Sequence, residues 1–262
     1  MKIIVCVKQV PDTNEVKIDP ANGTLIREGV PSILNHDDAN ALEEALKIKD
    51  KDPDTYITVV SMGPPQAMET LKECIAMGAD DAVLLSDRVL GGSDTWATSN
   101  ALAAAVRKLG DYDIIFTGRQ AIDGDTAQVG PQLAEKLGLP QVTYVTEFSM
   151  EGDDLTLKRA LENGYEILRL KRPCVLTAIK ELNSPRYMTI RGIRRAVAFD
   201  IKVWSAAYIG VDPETVGLKD SPTNVYKSFT PVKKGKGVII EGNSAKEITE
   251  KFVLDLKEKH II

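Results

Sequence analysis

The chain has little of what marks several common protein classes. Its three cysteines, Cys6, Cys74 and Cys174, are odd in number, widely spaced and without a Cys-x-x-Cys pair, which excludes a disulfide framework and offers no zinc or iron–sulfur ligand set. They read as buried thiols in a reducing compartment, so a cytoplasmic protein is expected. The two histidines, His36 and His260, have no ligand-like company, and no metal site is expected. No apolar run approaches the roughly 20 residues of a membrane-spanning helix. Met1-Lys2-Ile3-Ile4-Val5 enters a strand at once, and no targeting segment is expected. Positive charge is in deficit, 33 Lys and Arg against 38 Asp and Glu. With no basic stripe to compensate, this excludes nucleic acid as the main partner. There is no low-complexity tract and no clear internal repeat.

What is present is an ordinary globular composition, 43% hydrophobic and 27% charged over 262 residues, enough for one large core or two small ones. Apolar runs alternate with helical patterns: strand 3–9, helix 37–50, strand 56–61, helix 65–77, strand 82–86, helix 94–109, strand 113–117, helix 126–137. This βα alternation predicts an α/β fold with a mostly parallel sheet and helices on both faces. Pro131 fits a first helical turn, so the last of these helices starts near Gln128 and leaves a longer loop before it. Val16–Asp19 and Thr24–Arg27 flank a Pro20–Gly23 turn and predict a small hairpin. From 141 to 180 alternating Val142–Val145, Leu155–Leu157 and Glu166–Leu170, with an Asn163-Gly164 turn, predict antiparallel strands extending the same sheet. Beyond Trp204-Ser205 the chain is punctuated by Pro, Gly and Lys before an amphipathic helix from Ser244 to about Lys259. The expected organisation is an α/β domain over 1–205 and a C-terminal arm and helix over 206–262.

The most informative stretch is Gly118-Arg119-Gln120-Ala121-Ile122-Asp123-Gly124-Asp125-Thr126-Ala127-Gln128-Val129-Gly130-Pro131. It follows an apolar strand and leads into a helix rich in small residues, which is where open α/β sheets receive nucleotides on the N–H groups of a helix start. A carboxylate aimed at a phosphate would repel it, so Asp123 or Asp125 is expected to cap the helix or to accept from ribose or adenine donors, leaving Arg119, Thr126 and the backbone for phosphate. The plainer alternative is a capped strand-to-helix turn in which Gly124 supplies positive φ.

Three other motifs carry alternatives. In Asn35-His36-Asp37-Asp38 the first or third residue is foremost a helix N-cap. Val89-Leu90-Gly91-Gly92-Ser93-Asp94-Thr95 is superficially like the SGGxDS loop of ATP pyrophosphatases, which would make this a stand-alone ATP-binding or adenylating domain. However, Leu90 stands where that serine belongs, and the motif follows the third strand rather than the first, so Asp94 reads as an N-cap. Leu182 to Arg195 gathers Arg186, Arg191, Arg194 and Arg195 around Met188 and Ile190: either a solvated basic loop or a docking site for an acidic surface.

The 118–131 stretch resembles the signature of the electron-transfer flavoprotein β subunit. Val5–Asp12, Leu34–Asp38, Ser61-Met62-Gly63-Pro64, Ala76–Asp80 and Leu182–Met188 match that family in the same order, so the resemblance spans most of 1–205. It implies a Rossmann-like, adenine-nucleotide α-hydrolase-like fold. It implies nucleotide contacts from Cys6, Val7, Lys8, Asn35, Asp38, Ser61, Met62, Gly63 and the run Gly118, Arg119, Gln120, Ala121, Ile122, Asp123, Gly124, Asp125, Thr126, Ala127, Gln128 and Val129. A reactive thiol at Cys6 is not expected, because an apolar strand favours its neutral form. Partner recognition falls to Pro185, Arg186, Tyr187, Met188, Ile190, Arg191, Arg194 and Arg195, with Ile190 as apolar anchor toward an acyl-CoA dehydrogenase. The arm would embrace the α subunit. Within the family some β subunits hold AMP structurally and others hold FAD. The run Gly124-Asp125-Thr126-Ala127-Gln128-Val129-Gly130-Pro131 and Val10-Pro11-Asp12 resemble the second, bifurcating group: FAD between the first and fourth strands takes hydride from NADH. One electron then goes to ferredoxin or flavodoxin, and the other through a second FAD in the α subunit to the dehydrogenase. The alternative is a non-bifurcating carrier with structural AMP. No residue reads as a general acid or base.

Overall fold

The structure is a computed structural model in which residues 1–12, 31–226, 235 and 237–262 are described. The hairpin expected over 16–27 lies outside the described residues.

Strand β1 (Lys2–Cys6) shows how the main sheet is buried on both sides. Ile3 and Val5 enter one hydrophobic cluster while Ile4 and Cys6 enter another, the alternation that a pleated strand imposes. The same division recurs in β4 (Tyr56–Met62), β5 (Asp81–Leu85), β6 (Ile114–Gly118) and β10 (Cys174–Ala178). Helices α1 (His36–Lys51) and α2 (Met68–Met77) cover the first face, and α3 (Thr95–Leu109) and α4 (Val129–Leu137) the second. Strand order is β11-β5-β4-β1-β6-β10-β7-β8-β9, with β7 (Gln141–Glu151), β8 (Asp154–Leu161), β9 (Gly164–Lys171) and β11 (Lys202–Trp204). Every pairing from β11 to β7 is parallel, and β7-β8-β9 is an antiparallel extension of the same sheet, as its alternation and Asn163-Gly164 turn predict.

From β1 the chain proceeds to β4 and β5 on one side and returns to β6 on the other. The order therefore reverses between β1 and β6, and the crevice beyond their carboxyl ends is the place where such sheets bind ligands. Three details depart from the sequence reading. The first strand stops at Cys6, and Gln9–Pro11 forms a separate β2 paired antiparallel with β3 (Ser32–Leu34). A 3-10 turn, Pro65–Ala67, precedes α2. Residues 206–226, read from sequence as the beginning of the arm, belong to the compact unit Met1–Lys227: Ala206 and Ile209 of the short helix α6 (Ala206–Ile209), with Val216 and Ser221, are buried in it. The second unit, Ser228–Ile262, contains α7 (Ala245–Glu258), capped by the Ser244 hydroxyl, which accepts from the Glu247 N–H. No helix among the described residues is long and apolar enough to cross a membrane.

Candidate functional site

The crevice is assembled from three strand ends: Cys6-Val7-Lys8 at the end of β1, Ser61-Met62-Gly63 at the end of β4, and the run Gly118–Gln128 from the last residue of β6 to α4. Helix α1 organises two of them. Asn35 stands at its N-cap position, yet its side chain does not cap. Its Nδ2 donates to the Gln120 carbonyl at 2.8 Å and its Oδ1 accepts from the Ile122 N–H at 3.1 Å, so a fully buried amide holds the loop. Asp38 accepts from the Lys8 N–H at 2.8 Å and the Gly118 N–H at 2.9 Å, one oxygen each, and joins the ends of β1 and β6. Gly118 permits this approach, since a Cβ there would lie 2.3 Å from Asp38 Oδ1. Burial pushes the Asp38 carboxyl up to about 7, opposed by its hydrogen bonds to Lys8, Asn35 and Gly118. Burial and the nearby Asp38 charge push the Cys6 thiol up to about 12 and keep it neutral. Cys6, Asn35 and Asp38 are thus buried at the strand ends, Asn35 and Asp38 with polar atoms committed to backbone and Cys6 as a protonated thiol.

The loop is held in uncommon conformations. Positive φ falls at Asp125 (51°) and Ala127 (52°), not at Gly124 as the turn reading expects. Two residues with a Cβ thus take the αL conformation that glycine adopts most freely. Asp123 does not cap α4. Lys8 Nζ meets its carboxylate at 2.6 and 2.8 Å, and Asp125 accepts from the Gln120 side-chain amide. With Lys8 neutralising Asp123, the repulsion that a bare carboxylate would exert on an anion is reduced. Arg119 lies with its guanidinium carbon 5.7 Å from the Tyr144 ring centroid and its Nε 3.4 Å from Asp37 Oδ2. Burial raises the Asp37 carboxyl and Arg119 opposes it. Ser61 Oγ is buried with no hydrogen-bond partner among the described residues, whereas Arg119 Nε, which makes no hydrogen bond there either, has Asp37 as its ion-pair partner. Such atoms are expensive to leave unpaired.

Helix α4 begins at Val129 with Gln128 at the N-cap position, as Pro131 predicts, and its first N–H groups have no carbonyl upstream to bond. Gly130 is packing rather than wall: a Cβ there would stand 2.7 Å from Thr177 Cγ2 and 2.8 Å from Thr117 Oγ1. Gly124 is exposed, and a Cβ would meet nothing within 4 Å. Thr126 is exposed, Ala121 and Ala127 are half-buried, and Gln128 accepts from the Thr95 hydroxyl at 2.8 Å. Sequence reasoning missed Tyr144, brought beside Arg119 by a positive φ of 57° at an irregularity in β7, and no local motif announces it.

The Gly91–Asp94 loop is closed. Asp94 caps α3 by accepting from the Ala97 N–H at 3.1 Å, as expected, and its other oxygen accepts from the Thr223 N–H at 3.0 Å. Leu218 fills the space beside Gly92, so no phosphate loop is on offer.

The segment 182–197 divides in two. Arg186 is turned inward: Nε and Nη2 meet Glu43 at 2.8 and 3.0 Å, and Nη2 reaches Asp50 at 2.7 Å. Arg195 donates to the Asp80 carbonyl at 3.0 Å. Helix α5 (Ile190–Val197) is capped by Thr189, and Gly192 lets it cross α2, where a Cβ would lie 2.0 Å from the Ala76 carbonyl oxygen. Its outer face leaves Ile190, Ile193 and Val197 exposed beside Tyr187 and Met188, with Arg191 and Arg194 also exposed and Pro185 at the loop's start.

Fold and site together define an α/β protein with a backbone-lined crevice at the switch point of a parallel sheet and an apolar, arginine-bearing helix elsewhere on the same unit. The family described as "Electron transfer flavoprotein domain" matches residues 22–208. The chain is 57% identical over 262 residues, all of both chains, to the caffeyl-CoA reductase-Etf complex subunit CarD of Acetobacterium woodii. It is 58% identical over 262 residues, again all of both, to the electron transfer flavoprotein subunit beta of Clostridium acetobutylicum. It is also 50% identical over 270 aligned positions, all of both, to the acryloyl-CoA reductase electron transfer subunit gamma of Anaerotignum propionicum. The chain belongs to the electron transfer flavoprotein family, as a β subunit.

Proposed function

We propose that this β subunit binds FAD in the crevice between β1 and β6 and works, with an α subunit carrying a second FAD, as a bifurcating electron-transfer flavoprotein. The observation that carries the reading is the loop Gly118–Gln128, which leaves the carboxyl end of β6 where the strand order reverses and is tethered there by Asn35 and Lys8; FAD rather than AMP is inferred from the resemblance of Gly124–Pro131 to the bifurcating group. The buried Ser61 Oγ, without a hydrogen-bond partner among the described residues, fits a ligand that offers an acceptor. The first N–H groups of α4, with Arg119 and Thr126, would hold the pyrophosphate. Lys8 would keep Asp123 neutralised beside it. When bound, FAD supplies hydride acceptance from NADH and one-electron delivery to ferredoxin or flavodoxin and, through the α subunit, to an acyl-CoA dehydrogenase. The chain's own residues bind, orient and exclude water; none acts as general acid or base.

The exposed Ile190, Ile193 and Val197 with Arg191 and Arg194 suit an acyl-CoA dehydrogenase with an acidic rim around an apolar socket. Relatives whose names specify reductase complexes support a partner of this class. The test is an anaerobic flavin titration of the αβ complex: uptake of a second equivalent, followed by its bleaching with NADH, is expected. No uptake beyond one equivalent would overturn the reading in favour of a simple carrier with AMP.

A further inference from the structure

Helix α1 is stitched to both functional segments of the unit. At its start, Asn35 holds the backbone of Gln120 and Ile122, and Asp38 the N–H groups of Lys8 and Gly118. One turn on, Asn40 Nδ2 donates to the Asn183 carbonyl at 2.8 Å. Asn183 donates back to the Asn40 carbonyl at 3.0 Å and to Glu44 at 2.9 Å. Glu43 then receives the Arg186 guanidinium and, at 3.0 Å, the Arg186 backbone N–H. At 1.5 Å per residue the two sets of contacts lie about 8 Å apart along the axis. Glu43 and Glu44 are 6% and 3% exposed, and α1 is buried along most of its length, so its turns cannot shift independently.

We infer that α1 couples the crevice to the docking segment, with Glu43 as the positioning residue at the far end, so that occupancy of the crevice orders residues 182–197. This rests on the nucleotide reading above. A ligand that touches the loops tethered by Asn35 and Asp38 favours the state in which those tethers are made, and the same helix presents Asn40 and Glu43 to the segment that follows β10. The αL backbone at Asp125 and Ala127 is the strained element that ligand contacts would hold in place. The linkage is reciprocal: a partner seated on α5 strengthens nucleotide retention.

The test is hydrogen–deuterium exchange by mass spectrometry on the αβ complex, as purified and after removal of bound nucleotide, with released nucleotide measured in parallel. In the wild type, stripping is expected to speed exchange severalfold in 118–128 and also in 182–197. In Glu43→Gln, 182–197 should exchange fast in both states while nucleotide content is unchanged, a loss of response that mere loosening of the fold would not confine to this segment. If 118–128 responds and 182–197 does not, the coupling is refuted and the nucleotide reading stands. If no nucleotide is released at all, both fall. The wild-type comparison decides even if the variant fails to fold.

Discussion

Lys8 Nζ lies 2.6 and 2.8 Å from the two carboxylate oxygens of Asp123, an ion pair that bridges the end of the first strand and the loop ahead of α4. Both side chains keep access to water, so the pair adds little to stability, less than about 1 kcal/mol. Its consequence lies with the ligand. On the proposed nucleotide reading, Lys8→Met leaves Asp123 bare beside the proposed phosphate position and is expected to weaken nucleotide retention roughly tenfold, about 1.4 kcal/mol. Asp123→Asn removes the repulsion and should retain nucleotide at least as well. Equal losses in both variants, by equilibrium dialysis, would contradict this account.

Gly130 and Gly124 should respond oppositely to alanine. At Gly130 the new methyl meets Thr117 and Thr177, costing about 1–3 kcal/mol and several degrees of Tm by calorimetry. At Gly124 there is open space and no positive φ, so stability should hold. Any change there should be read in which nucleotide is bound.

Asp38 sets a pH dependence. Its folded-state carboxyl is raised from 3.8 to about 7, so the folded protein binds the proton more tightly than the unfolded chain. The associated stability is present below about pH 4 and is lost as pH rises through about 7. Asp38→Asn should be less stable, by about 1–3 kcal/mol, because an amide offers one acceptor to two N–H donors. It should also remove this slope from urea unfolding measured between pH 4 and 7.

Arginines of one segment should divide by partner. Arg186→Met leaves Glu43 buried without its counter-charge and should cost on the order of 3 kcal/mol. Arg191→Ala and Arg194→Ala should leave Tm within about a degree, since surface changes are usually within about 0.5 kcal/mol. They should raise the KM for the dehydrogenase and flatten its salt dependence.

Much of this was legible in the sequence, and for identifiable reasons. Ile114-Ile115-Phe116, flanked by a loop and a small-residue helix, marks a buried parallel strand because its neighbours on both faces are apolar. Pro131 marks the helix start because its ring suits a first turn. What was not legible depends on partners distant in sequence. Asn35 reads as a cap, yet its amide goes to Gln120 and Ile122 on another loop. Gly124 reads as the αL residue, yet the positive φ falls at Asp125 and Ala127. Arg186 reads as a docking charge until α1 is packed against it and Glu43 appears underneath. Residues 206–226 read as an arm because their burial rests on α3 and the 87–94 loop rather than on their own periodicity.

The most direct test of the central claim is the identity and stoichiometry of nucleotides released by denaturing the purified αβ complex and separated by chromatography. Two FAD per heterodimer and no AMP is the predicted result. One FAD with one AMP would contradict it and make this β subunit the structural half of an ordinary electron carrier.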